Sequence, residues 1–262
     1  DTDITNALIA QNAAGHEVKV VLNQTFPSGQ GNSNSSAYDK LHTADANMVV
    51  YAPGSFTYTH EKCVVIDGAT AWIMTMNTTY SSPTSNREFL AVDTDADDVA
   101  EADAIFQADF ASQSITPDGK LLVAPDNDKG RIRALIGTAT STLDLEVEEL
   151  SDSDVANDLA AAADRGVKIR VVIADDGTPS NAQTNALNEL KSHGASIVLT
   201  STPYIHAKAI VVDGVSMYVG SANLTQNSMS YNRELAIVTT SSDAISAVES
   251  ALDTDFGNGT AQ

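Results

Sequence analysis

Two pairs of side chains in this sequence are spaced for phosphoryl chemistry. His60 and Lys62 are two residues apart, and so are His206 and Lys208. Residues i and i+2 of a β-strand point to the same face, so each pair presents an imidazole beside an ammonium. Asn77 and Asn223 follow at equal distances and add neutral donors. A phosphodiester needs its non-bridging oxygens neutralised, and two lysines with two amides can do this without a metal. One neutral imidazole can attack phosphorus and form a phosphohistidine. The other, protonated, can supply the leaving alcohol with a proton and later take one from water, help worth ~10²–10⁴-fold. Such a division needs surroundings that push the two imidazole pKa values apart. Each histidine also needs its Nδ1 held. Glu88 and Glu234, each 28 residues after its histidine, are the carboxylates expected to do so.

The two pairs belong to an internal repeat. At an offset of 146 residues, segments 58–90 and 204–236 fall into register without a gap. Identical positions include Tyr58/Tyr204, Asp67/Asp213, Gly68/Gly214, Asn86/Asn232 and Arg87/Arg233, besides the His, Lys, Asn and Glu already named. The likeness extends to 17–22 against 167–173, and to Asp109-Phe110 against Asp255-Phe256. Each half therefore reads as one lobe, 1–115 and 118–262, joined near 112–120.

The elements that must position these groups alternate between helix and strand. In the second half a helix is predicted over 154–165, stopping at Gly166, then a buried strand over 167–173. A helix over 182–192 and a strand over 196–200 follow. The motif itself forms a hairpin, 209–212 and 216–219 around Asp213-Gly214, and its first copy is 63–66 and 71–74 around Asp67-Gly68. Asp67 and Asp213 are expected to stabilise these turns. This alternation indicates the α/β class. The halves differ in one respect. A helix (130–138) and a strand (142–148) precede the second half's 154–165 helix, whereas the first half opens almost at its equivalent helix. The first sheet is thus expected to lack its opening pieces, with a separate N-terminal segment of the same protein as the partner that completes it.

Composition narrows the partners. Fourteen basic residues stand against 35 acidic ones, a net charge of −21. Such a surface repels polyanions until salt screens it, and it lacks the basic stripes of a DNA-coating protein. The excess reads either as a solvated, solubility-promoting surface or as adaptation to high salt. The one cysteine, Cys63, allows no intrachain disulfide and sits in an apolar run as a small buried hydrophobe. No CxxC, HExxH or carboxylate cluster indicates a metal site, and no glycine-rich loop indicates a nucleotide, so no cofactor is expected. His16, His42 and His193 lack a repeated context and read as surface residues. Arg87 and Arg233 read as loop supports.

The string His206-x-Lys208-x4-Asp213-x6-Gly220-Ser221-x-Asn223 resembles the HKD signature of the phospholipase D superfamily, and His60-x-Lys62-x4-Asp67-x6-Met74-Thr75-x-Asn77 is its first copy. The resemblance covers both halves. It implies a bilobed, pseudo-twofold α/β fold, each lobe a mixed β-sheet flanked by helices, with one active site at the interface. It implies a phosphohistidine mechanism in which His60 attacks, His206 is the acid, and Glu88 and Glu234 partner the histidines. Thr75 and Ser221 are expected at the substrate, with Tyr58 and Tyr204, which with Phe56 suit an entrance or core packing equally. Met74 stands where the signature has glycine, which implies altered packing beneath the phosphate.

The family includes phospholipases, phosphatidyltransferases, cardiolipin synthases and nucleases. No apolar run approaches the ~20 residues that cross a bilayer, which places a cardiolipin synthase behind a phospholipase D. The acidic excess places a nuclease second and a stable nucleic-acid partner outside expectation. A non-enzymatic scaffold is the third class. The expected substrate is a phospholipid, more comfortably zwitterionic, met at a membrane surface or micelle. A start at Asp1, without Met or signal peptide, is expected of a processed secreted protein or of a trimmed chain. Loops 23–37 and 174–184 are polar and follow strands, as substrate-side loops or as plain connectors.

Overall fold

The computed structural model describes residues 1–25 and 33–262. Its organising strand is Lys208–Val212, buried along its whole length. Beyond Lys208 it is apolar on both faces because helices cover both faces of its sheet; its neighbours within the sheet are Thr142–Val147 and the return strand Ser216–Gly220, both antiparallel to it. The sheet continues through the parallel strands Lys168–Ala174 and Ser196–Thr200 to Thr260–Ala261 at one edge, and through Glu234–Thr239 to Leu122–Ala124 at the other, eight strands in all. Helices Asp128–Gly137, Ser153–Asp164 and Asn181–Ser192 bury Ile132, Leu159 and Leu187 in the core on one face. The helix Ser242–Asn258 buries Ile245, Val248 and Leu252 on the other. Side-chain caps set several starts: Asp152 accepts from the Asp154 and Val155 amides, and Ser180 from that of Gln183. The helices and strands predicted between 130 and 219 fall within two residues of their expected bounds; Leu122–Ala124, Glu234–Thr239, Ser242–Asn258 and Thr260–Ala261 had no expected bounds.

The first lobe is built differently from the second. The strand Cys63–Ile66 alternates half-buried and exposed, because one face of its sheet is uncovered. It pairs with Thr70–Met74, and that with Leu90–Asp93, in a three-stranded sheet. The parallel pair Val20–Leu22 and Val49–Tyr51 forms a sheet of its own. In the second lobe Thr142–Val147 joins the corresponding strands. Among the described residues nothing fills that place in the first lobe, so its sheet is split in two and not the single mixed sheet expected. The outer face of the three-stranded piece is open. Val64, Trp72 and Val92 stand opposite one another across it, and all three are exposed. The counterparts of Val64 and Trp72, Ile210 and Tyr218, are buried in one core with Ile132 and Ile136 of the Asp128–Gly137 helix, while Val238, the counterpart of Val92, is exposed too.

The hairpin turns are alike in both copies. Asp67-Gly68 and Asp213-Gly214 take positive φ at both positions, in three-residue connections that Ala69 and Val215 complete. The strand ends differ. A Cβ at Gly220 would lie 2.1 Å from that of Ala236 on the neighbouring strand, so glycine is required there. The matching pair in the first lobe is Met74 and Leu90, with Met74 buried and Leu90 turned outward.

The lobes share a core. Ala71, Ile73, Val99, Ala102 and Ile105 of the first lobe, the last three from helix Ala96–Phe110, pack with Leu121, Val123 and Leu235. The join near 112–120 is therefore no gap in packing. Leu121 and Val123 serve the first lobe's core even though their strand pairs in the second lobe's sheet.

Trp72 is the only tryptophan, so its fluorescence reports the open face. Acrylamide should quench it readily in the folded chain, and unfolding in denaturant should add little to the quenching constant. A shielded indole would contradict the open face.

Candidate active site

Both motif strands run to the lobe interface, where short bridges cross it. The backbone amides of His60 and Glu61 donate to the Arg233 carbonyl, and the His206 amide donates to the Arg87 carbonyl, at 2.8, 2.9 and 3.2 Å. Tyr204–Ile205 pairs in parallel with Asn86–Arg87, and Thr59 bridges Arg233 in the same sense. Each histidine is thus hung on the other lobe's Asn-Arg-Glu segment.

The carboxylates follow this crossing. His60 Nδ1 lies 2.9 and 3.0 Å from the two oxygens of Glu234. His206 Nδ1 lies 2.9 Å from Glu88. The equal 28-residue spacing invites pairing within each copy; the structure corrects this, because the segment that carries each glutamate is pinned beside the opposite histidine. The Asn86 amide holds Glu88 at 3.1 Å and the Asn232 amide holds Glu234 at 3.0 Å. With each Nδ1 engaged by a carboxylate, each Nε2 is left to face the pocket.

Arg87 and Arg233 support their loops by the same crossing. Arg87 pairs with Asp255 at 2.5 and 3.1 Å. Arg233 pairs with Asp109 at 2.9 and 3.3 Å, reaches Asp126 at 3.1 Å and lies over the Phe56 ring. The repeated Asp109 and Asp255 are therefore interlobe anchors, a role that their match in sequence left unassigned. Phe56 serves this packing.

Asn77 Nδ2 stands 3.4 Å from His206 Nε2, again across the interface. Lys62 donates to the His60 carbonyl, and Lys208 to that of His206 at 2.7 Å. Burial lowers the Lys62 pKa to about 7 against the pull of Glu234. Burial also lowers that of His60, outweighing the Glu234 carboxylate that would raise it. His60 is thereby biased to the neutral imidazole.

Two expectations are corrected. Thr75 and Ser221 have no exposed surface, so they stand behind the site and not against a substrate. Thr75 Oγ1 donates to Glu88 at 2.6 Å, and Ser221 Oγ accepts the Leu235 amide at 3.0 Å. Tyr204 turns its hydroxyl to Glu148 at 3.1 Å, and the Tyr58 carbonyl accepts the Arg233 amide at 2.8 Å. Asp213 accepts from the Thr140, Ser141 and Thr142 amides, anchoring its turn to the neighbouring strand. Cys63 is half-buried, and burial pushes its thiol up. His16 and His42 are exposed, and His193 pairs with Asp164 and Glu189. Loop 23–37 lies partly outside the described residues, at 26–32, and 175–180 is exposed. Among the described residues no group of three or more His, Cys, Asp or Glu side chains is arranged for a metal ion.

Glu148 was not singled out in the sequence. Its Oε2 lies 2.8 Å from Lys208 Nζ, 3.0 Å from Asn223 Nδ2 and 3.7 Å from His206 Nε2. Burial opposes the charge, but Lys208, His206 and Asn223 together outweigh it and hold the carboxyl at about 2. The available signal was an acidic end on an apolar strand, Glu146 to Glu149, since ligands in α/β sheets gather at the carboxyl ends of strands.

Asp109→Ala should destabilise the fold by about 3 kcal/mol in urea melts, because it strips the buried Arg233 of its bidentate partner. Asp255→Ala should cost less, since Arg87 is 30% exposed and water can take over. Equal losses would show that burial does not set the difference.

Comparisons with known proteins identify the family. A family model described as "Cardiolipin synthase, PLD-like domain" matches residues 1–110 and 132–256. A cardiolipin synthase of Listeria welshimeri is 33% identical over 119 residues, 42% of this chain and 25% of that protein. The probable cardiolipin synthase YwiE of Bacillus subtilis is 23% identical over 262 residues, 83% of this chain and 51% of that protein. The chain thus spans a quarter to a half of these relatives. A solved phosphatidylserine synthase of Haemophilus influenzae superposes with a TM-score of 0.71 at 12% identity, over 97% of this chain and 77% of that one, a likeness of fold. No described helix is long and apolar enough to cross a membrane, but with cardiolipin synthases among the relatives that fact no longer ranks a phospholipase above them. From two facing HKD copies and a family match over both halves, the chain belongs to the phospholipase D superfamily.

Proposed function

We propose that this chain is a metal-independent phosphodiesterase of phospholipase D type that cleaves the distal phosphodiester of a phospholipid, passing the phosphatidyl group to water or to an alcohol. The observation that carries the reading is the crossed pair His60–Glu234 and His206–Glu88, which aims two Nε2 atoms into a pocket holding Lys62, Lys208, Asn77 and Asn223. His60, kept neutral by burial, is the nucleophile. Its Nε2 forms a bond to phosphorus as the bond to the head-group oxygen breaks, and His206 gives that oxygen its proton. His206 then takes a proton from the incoming water or alcohol, whose oxygen displaces His60. Lysine and amide donors stabilise the charge gathered on the non-bridging oxygens.

Lipid is preferred to nucleic acid because a net charge of −21 opposes the approach of a polyanion. The substrate is met at a membrane surface or micelle. A kinship with cardiolipin synthases supports a phosphatidyl donor and leaves the acceptor open to a second alcohol.

Hydrolysis of bis-p-nitrophenyl phosphate, dihexanoyl phosphatidylcholine and single-stranded DNA, each with and without EDTA, tests the reading. Lipid and reporter should turn over unchanged in EDTA, and DNA should remain intact; loss of activity in EDTA would overturn the metal-free mechanism. His60→Ala and His206→Ala should each reduce turnover by at least a thousandfold. Substantial activity in either would defeat the shared site.

The pH profile of kcat/KM with the reporter should be bell-shaped. Protonating His60 removes the nucleophile, so activity falls on the acid side, with a limb below the ordinary imidazole value of about 6.5. Losing the Lys62 proton removes a positive charge, so activity falls on the alkaline side, with a limb near pH 7, its pKa being about 7. Lys62→Arg should lessen the fall on that side, leaving the loss of the His206 proton that the leaving oxygen needs.

A further inference from the structure

In the second lobe Thr142–Val147 pairs in parallel with Lys168–Ala174 and antiparallel with Lys208–Val212, joining them into one sheet. The equivalent strands of the first lobe, Val20–Leu22 and Cys63–Ile66, each pair on one side alone among the described residues. Each leaves a row of backbone donors and acceptors open, a template for a further strand. The face beside them is open in the same sense. Ile210, Val212, Tyr218 and Ala236 lie in one core with Ile132 and Ile136 of the Asp128–Gly137 helix. Their equivalents at the offset of 146 residues, Val64, Ile66, Trp72 and Leu90, are all exposed. An exposed apolar patch of this kind marks an interaction surface. The hairpin turn adds a third sign. Asp213 accepts from the Thr140 amide and hydroxyl and from the Ser141 and Thr142 amides, at the turn that links the helix to the strand. Asp67 matches it in sequence and in positive φ, yet among the described residues its carboxylate has no such donors.

We propose that the first lobe is a docking site for a helix–turn–strand segment of the same protein, which runs ahead of Thr2–Ala13 as 128–147 runs ahead of Ser153–Asp164. Its strand lies parallel to Val20–Leu22 and antiparallel to Cys63–Ile66. Its helix lays aliphatic side chains four residues apart, as Ile132 and Ile136 are, over Val64, Ile66, Trp72 and Leu90. The turn between them gives backbone amides to Asp67. The caps set the segment's place in the chain: Asp1 accepts from the Asp3 and Ile4 amides as Asp152 does from those of Asp154 and Val155, so the two capped helices are equivalents. A lipid surface would cover the apolar patch but leave Asp67 and both strand edges without partners. A second copy has no segment of this build to give, because its own 128–147 is held in its second lobe.

The test joins a second copy of residues 126–151 directly ahead of Asp1, as Ser151 stands ahead of Asp152. The copy carries no tryptophan, so Trp72 remains the only indole. Docking should remove most of the acrylamide quenching of Trp72 and raise the thermal midpoint above that of the unextended chain, because an apolar face is taken out of water. Asp67→Ala should lower the midpoint of the extended chain more than that of the unextended one, the mark of a contact made only when the segment is docked. The same residues added as a free peptide repeat the measurement on the unextended chain, whose fold the extension cannot disturb. The peptide should protect Trp72 saturably, and about tenfold more weakly in Asp67→Ala, since hydrogen bonds to a charged acceptor are lost. Trp72 left open in both formats would overturn the proposal. Protection that appears in the unextended chain as its concentration rises would overturn it in favour of a second copy. Quenching of Trp72 by vesicles of brominated phosphatidylcholine, with the extension leaving the indole open, would overturn it in favour of a lipid surface.

Discussion

The site depends on an exchange across the lobe interface. A histidine that attacks or protonates through Nε2 needs an acceptor on Nδ1, and here each acceptor comes from the opposite lobe: Glu234 for His60, Glu88 for His206. The arginine beside each glutamate is fixed by an aspartate of the other lobe, Asp255 for Arg87 and Asp109 for Arg233. Backbone hydrogen bonds between the histidine strands and the same arginines complete the exchange. Neither half can assemble its own tautomer and orientation alone. The shared core of Ile73, Val99, Val123 and Leu235 keeps the lobes at the distance these contacts need.

The parts legible in sequence were those fixed by local rules. Hairpin turns announce themselves through Asp-Gly, helix ends through caps and glycine, and the duplication through identity at a constant offset. His-x-Lys on a strand defines a shared face whatever the tertiary context. Crossing is not a local property. Glu88 lies as far from His60 as Glu234 does from His206, so spacing alone favours pairing within a copy, and only the placement of Asn86–Arg87 beside Tyr204–Ile205 reverses it. Thr75 and Ser221 misled for a related reason: their place in the motif brings them near the site, but burial turns them toward Glu88 and the Leu235 backbone. Glu148 carries no motif at all, and its position depends on Thr142–Val147 lying next to Lys208–Val212.

The two copies have met different surroundings. The second motif strand lies in the middle of an eight-stranded sheet and is apolar on both faces; the first lies on the edge of a three-stranded one and alternates. Gly220 is enforced by the approach of Ala236, while the equivalent pair in the first lobe, Met74 and Leu90, carries two large side chains. The same sequence pattern thus tolerates a central and a marginal position, because the hairpin needs only its turn and its partner strand.

Exchange of this kind is what a twofold-symmetric pair of separate chains makes, where residue i of one meets residue j of the other and j meets i. In a pair of identical chains every substitution appears twice, once in each half of the site. Joined in one polypeptide, the halves are released from that identity. A carboxylate can stand against Lys208 with none against Lys62, and one histidine can sit where burial keeps it neutral while its mate has a second carboxylate nearby. Covalent duplication has turned a symmetric pocket into one with two distinguishable ends, which is what a reaction with a distinct attacking group and leaving group can use.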